Sequence, residues 1–132
     1  MDWAPLHVAA NDAMANAHTP YSRFDVGAAV LDEHGQIHRG CNVENAAYPE
    51  GTCAEAGAIA AMVCAGARRI RAVLVVGRGR ALVTPCGGCR QKIREFASPD
   101  TPIAIADPEH VRAVFTLDAV LPDSFGPDNL DR

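Results

Sequence analysis

The chain has 132 residues, 48% of them hydrophobic, which is enough to fill the core of one domain and not of several. Its 12 basic and 16 acidic side chains leave a formal charge of -4, which removes any electrostatic drive towards phosphate backbones and argues against nucleic acid as a partner. The N-terminus Met1-Asp2-Trp3-Ala4-Pro5 has neither a basic n-region nor an apolar h-region, and no later run is long and apolar enough to cross a bilayer, so the expectation is a single domain over residues 1–132, cytoplasmic and without membrane contact.

Taken in order, Leu6, Ala9, Ala10, Ala13, Met14 and Ala17 recur at the 3.6 period and predict a helix that ends before Pro20. The run FDVGAAVLDEHGQIHRGCNVE predicts two strands around the turn Asp32-Glu33-His34-Gly35, a hairpin with a glycine in its loop. From Cys53 to about Ala65 the chain is alanine-rich and free of proline, as a buried helix requires, and Gly66 suits its C-terminal end.

The apolar IRAVLVV then predicts a strand covered on both faces, and CGGCRQKIREFA after Pro85 a further helix. PIAIA and VRAVFTL are two more short strands. Helices interleaved with strands predict a three-layer α/β/α sandwich around a mixed five-stranded sheet.

Five cysteines, an odd number, in a chain expected to lie in a reducing compartment are better read as ligands and core residues than as disulfides. Cys53 opens one predicted helix, and Cys86 and Cys89 fall in the first turn of another, just after a proline that favours a helix start. At a helix N-terminus the dipole favours the thiolate a metal needs. Three thiolates suit zinc, and three ligands instead of four leave a position for water, the mark of a catalytic site.

Cys64 lies about three helical turns beyond Cys53 and Cys41 near a strand end, so both read as core or packing residues. The five histidines are scattered without a partner at ligand spacing. Glu55, two residues after Cys53, becomes a candidate proton carrier, because zinc brings the pKa of bound water to about 7 and a nearby carboxylate can take up the proton.

CNVENAAY, CAE and PCGGCRQ, in that order, resemble the small homotetrameric cytidine deaminases, and the likeness runs from YSRFDVGAA to VLPDSFG. The resemblance implies zinc on Cys53, Cys86 and Cys89, hydroxide attack at C4 of a cytosine ring, and protonation of N3 and then of the departing amine by Glu55. It also implies that Asn42 and Glu44 hold the ribose hydroxyls, that Ala54 offers backbone groups to the pyrimidine edge and that Phe24 forms an aromatic wall. Phe125, in a segment bounded by Pro122 and Pro127 with no predicted helix or strand, would cover the pyrimidine in a neighbouring subunit's site. The implied protein is a homotetramer with shared sites, acting on cytidine and 2'-deoxycytidine in pyrimidine salvage.

Two residues depart from or add to that pattern. Many relatives have arginine directly after the catalytic glutamate, where this chain has Ala56, so helix N-termini and Arg90 are expected to offset the thiolate charge. Glu50 adds an acid at the expected mouth of the pocket. The competing readings are a blasticidin-type deaminase with a different sugar pocket, a non-catalytic zinc module, against which Glu55 argues, and a polynucleotide-editing deaminase, against which the acidic balance argues.

Overall fold

The computed structural model describes residues 1–130. Its elements are α1 (Ala4–Met14), β1 (Val26–Asp32), β2 (Ile37–Cys41), a 3-10 turn (Tyr48–Glu50), α2 (Ala54–Cys64), β3 (Ile70–Gly77), α3 (Gly87–Arg94), β4 (Pro102–Ala106), β5 (Val111–Thr116), α4 (Leu117–Val120) and a final 3-10 turn (Pro127–Leu130). The strands form one sheet in the order β2-β1-β3-β4-β5. β3 and β4 are parallel and the other pairs antiparallel, so the sheet is mixed as expected.

The two-residue period of the strands builds both cores at once. Ala28, Val30, Val73, Val75, Ile103 and Ile105 face Ala58, Met62 and Ile93 of α2 and α3, while Ala29, Leu74, Val76, Ala104 and Ala106 face Leu6, Ala10 and Met14 of α1. This is the three-layer α/β/α sandwich, with β3 buried on both faces.

The hairpin turn is locked by Asp32. Its Oδ1 accepts the N–H groups of His34 (2.7 Å) and Gln36 (3.0 Å), its Oδ2 meets His38 Nε2 at 2.8 Å, and Gly35 takes the left-handed φ of +80° that the turn requires. Gly66, at φ +99°, likewise ends α2 as predicted.

Several boundaries differ from the sequence reading, two of them for a visible reason. α1 stops at Met14 and leaves Ala17 outside, because His18 N–H is taken by Asn42 O (3.0 Å) and His18 O accepts from Glu44 N–H (2.8 Å). At the other end Thr116, the last residue of β5, also caps α4, its Oγ1 accepting from Ala119 N–H at 3.2 Å, so Leu117 is helical and not the last residue of a strand.

Candidate metal and active site

The helices of one layer carry the site. Cys53 is the N-cap of α2 and Cys86 the N-cap of α3, both with extended backbone, and Cys89 follows three residues into α3. A short antiparallel bridge between Val43 and Thr52 feeds the chain into Cys53. Behind it Gly40 of β2 lies against the first turn of α2, where an added Cβ would come within 2.4 Å of both Ala54 O and Ala58 N. Only glycine allows that approach.

The three sulfurs lie within 4.8 Å of one another, with Cys53 and Cys86 3.8 Å apart. A tetrahedral ion with Zn–S bonds of about 2.3 Å sets its sulfurs about 3.8 Å apart, so the cluster fits zinc. The electrostatics agree. Burial, then the Glu55 and Cys53 charges, push the Cys89 thiol far up, and burial also raises Cys53. The Cys89 backbone N–H draws Cys86 down. Crowded sulfurs that repel one another as anions are the donor set a divalent cation relieves.

Glu55 is 4% exposed and lies beside them in the first turn of α2. Burial raises its pKa, against the pull of its own backbone N–H, of the Lys92 ammonium and of Cys89. Lys92 escaped the sequence reading, although its position three residues after Cys89 places both on one side of α3.

A cavity of about 320 Å³ brings Cys53, Ala54, Glu55 and Cys86 together with Asn42, Glu44, Val26, Tyr48, Thr52, Val83 and Thr84. That volume lies in the usual range for small-molecule sites, about 300–1,000 Å³. It adjoins a second cavity of about 400 Å³, with which it shares Glu44, Tyr48 and Gly51, and Tyr21 and Tyr48 pair there with ring centroids 5.6 Å apart. Tyr48 also went unnoticed in the sequence; its one local signal is an aromatic beside Pro49 in a turn.

Asn42 and Glu44 both reach the cavity, and both also build its wall. Asn42 Oδ1 accepts from Val26 N–H (2.9 Å) and its Nδ2 donates to Phe24 O (2.8 Å). Glu44 accepts from the Ser22 hydroxyl and from the backbone N–H groups of Tyr21 (3.0 Å) and Ser22 (3.1 Å). The Ser22 hydroxyl and then its N–H hold the Glu44 carboxyl below the usual range, so it stays ionised and accepting.

The remaining candidates lie apart. Phe24 is half-exposed and lines a neighbouring depression with Arg78 and Arg80, which touches the thiol cavity only through Val83 and Thr84. Phe125 is 59% exposed and does not line its own chain's cavity. Glu50 is exposed on the 3-10 turn and is not a lining residue. Cys41 is half-buried and Cys64 exposed; as expected neither joins the cluster, and neither is fully buried in the core. Arg90 donates to Pro85 O (2.7 Å), Val120 O (2.9 Å) and Thr84 Oγ1 (3.4 Å), so its hydrogen bonds brace the loop before α3 instead of reaching a sulfur.

The comparisons with known proteins agree with this geometry. The family model described as cytidine and deoxycytidylate deaminase zinc-binding region matches residues 3–105. A cytidine deaminase of Mycobacterium tuberculosis is 39% identical over 132 residues, covering 100% of this chain and 96% of its own. One from Sporosarcina psychrophila is 38% identical over 130 residues, 98% of this chain and 96% of the relative. Among solved structures, the cytidine deaminase of Burkholderia pseudomallei superposes with a TM-score of 0.87 at 38% identity, over 95% of this chain and 100% of that one. The M. tuberculosis enzyme gives 0.81 at 39% identity, over 96% and 98%. With a matching fold, a three-sulfur cluster of zinc dimensions and this likeness along nearly its whole length, the chain belongs to the cytidine and deoxycytidylate deaminase family of zinc enzymes.

Proposed function

We propose that the protein, as one deaminase domain, hydrolyses the exocyclic amine of cytidine and 2'-deoxycytidine, releasing ammonia and leaving uridine and 2'-deoxyuridine. The observation that supports this best is the buried Glu55 carboxyl beside three sulfurs at zinc spacing, with Glu55, Cys53 and Cys86 lining one cavity. Cys53, Cys86 and Cys89 would hold the zinc, which when bound would make a water acidic enough to lose a proton near neutral pH. Glu55 takes one proton from the attacking water as its oxygen bonds to C4 and passes it to N3 of the pyrimidine; it then takes that oxygen's remaining proton and passes it to the amine as the C4–N bond breaks and the C4 carbonyl forms. Burial raises the Glu55 pKa above the ordinary carboxylate value, which favours the protonated form that donates.

Ala54 presents first-turn backbone groups of α2 to the pyrimidine edge. Asn42 and Glu44 receive the sugar. After its two backbone bonds, the Asn42 amide retains one N–H and further acceptor capacity, and the Glu44 carboxylate retains free lone pairs for a hydroxyl donor. Phe24 supplies an aromatic wall from the adjoining depression, beside Val83 and Thr84, and Phe125 covers the pyrimidine. Phe125, exposed and not lining its own chain's cavity, acts in a neighbouring subunit of a homotetramer with shared sites. The enzyme works in the cytoplasm, in pyrimidine salvage; among the described residues no helix is long and apolar enough to cross a membrane.

Ultraviolet-monitored turnover of a panel of cytosine nucleosides, with zinc measured in the same sample, tests the reaction. Zinc-loaded protein that releases no ammonia from any of them would refute it. Co-expression of Glu55→Gln with Phe125→Ala chains tests the shared site: mixed tetramers should recover activity beyond the sum of the two separate variants. Strict additivity, with mixing confirmed, would place Phe125 in its own subunit's site or in none.

A further inference from the structure

Residues 124–126 belong to no helix or strand, yet three hydrogen bonds from α3 hold them and Asp128 just beyond. Arg94 Nε donates to Ser124 Oγ at 3.0 Å, and its Nη2 donates to Asp128 Oδ1 at 2.7 Å. Gln91 Nε2 donates to the carbonyl of Phe125 at 2.8 Å. The guanidinium is covered as well as bonded: the Arg94 side chain is 15% exposed, whereas that of Asp128 is 73% exposed.

Gly126 does the covering. A Cβ on it would come within 2.3 Å of Arg94 Cζ and 2.4 and 2.5 Å of the two terminal nitrogens, so the backbone lies directly on the guanidinium plane. Phe125 is thus flanked by two residues that one side chain fixes, with its carbonyl tied by a third and its ring projecting outward.

We propose that Arg94, assisted by Gln91, is a positioning residue for Phe125. It holds the segment in one conformation so that the ring is presented ready-made to substrate. This rests on the reading above, that Phe125 covers substrate. The chemistry is specific to arginine, whose planar fork donates in two directions while its face receives a peptide; a lysine ammonium has no face and no fork. A ring pre-set in this way spares each binding event the cost of ordering it, which is how preorganisation improves affinity.

The test is a double-mutant cycle with steady-state kinetics and zinc content read together. Arg94→Ala should raise KM roughly 5- to 20-fold while kcat stays within about twofold, the pattern of lost binding with intact chemistry. Zinc content should be unchanged. In a Phe125→Ala background the same substitution should add less than about twofold, because no ring remains to be placed.

An equal KM effect with and without Phe125 would overturn the proposal, as would an unchanged KM in the folded, zinc-loaded Arg94→Ala protein. Should Phe125→Ala itself leave KM unaltered, the underlying reading of Phe125 falls first and the proposal with it. If Arg94→Ala does not fold, Gly126→Ala serves instead. Its new methyl displaces the guanidinium from Ser124 and Asp128 while retaining both Arg94 and Phe125, and the expected KM rise must again vanish when Phe125 is absent.

Discussion

Cys53 Sγ and Cys86 Sγ lie 3.8 Å apart across 33 residues of sequence, each at the cap of a different helix. The metal site therefore depends on how α2 and α3 dock as much as on the cysteines themselves. Cys89→Ala should lose both zinc and turnover, since two sulfurs make a poor tetrahedral site. Metal analysis of the purified variant checks this, and a fully loaded, active protein would assign the third ligand elsewhere.

Glu55→Gln keeps the shape of the side chain and removes its capacity to carry protons. With zinc and thermal stability retained, kcat should fall at least about 10²- to 10⁴-fold, the usual contribution of a positioned acid–base group. Activity within about tenfold of the parent would remove Glu55 from the proton path.

Gly40→Ala reaches the same site without touching it. The added methyl would meet backbone atoms of α2 at 2.4 Å, and backbone cannot turn aside as a side chain can. Overpacking of this kind costs typically about 1–3 kcal/mol. The variant should therefore show a lowered thermal midpoint and, because Cys53 and Glu55 sit on the displaced turn, a lowered kcat. An unshifted midpoint with full activity would show that the contact can relax freely.

Asp32 predicts an acid limb in the stability curve. Burial pushes its carboxyl up, but His38 and the N–H groups of Gln36 and His34 outweigh that and hold it below the usual value. A carboxyl depressed in the folded state stabilises fully above its unfolded pKa, about 3.9, and loses that contribution as pH falls through the lower folded value. Parent stability should thus drop as pH falls below about 4, and Asp32→Asn should flatten that drop. Denaturant midpoints measured across the acid range decide it; parallel curves would exclude Asp32 as a contributor.

Much of the architecture was legible because local signals and burial agree. The hairpin around Gly35, the proline-free α2 ending at Gly66 and the doubly buried β3 each rest on short-range pattern, and Cys53, Cys86 and Cys89 stand out through residue type and spacing. Features set by distant pairing were not legible. α1 ends early because His18 bonds to Asn42 and Glu44, residues more than twenty positions on. The backbone-building part played by Asn42 and Glu44 is hidden for the same reason, as is the turning of Arg90 towards Pro85 and Val120. Phe24 follows strand alternation poorly because it precedes β1 and its ring falls into the next depression.

One helix, α3, carries Cys89 at one end and the Gln91 and Arg94 contacts to residues 124–128 at the other. Each residue of an α-helix turns the next by about 100°. A single insertion or deletion between Cys89 and Arg94 would therefore swing the guanidinium away from Ser124 and Gly126 while every side chain named here survived. The number of residues between Cys89 and Arg94 thus ties the metal site to the Phe125 segment as firmly as the side chains do. The loop before α3 is held separately: Arg112 donates to the carbonyls of Gly79 (3.2 Å) and Arg80 (2.6 Å), and Arg90 to that of Pro85 (2.7 Å).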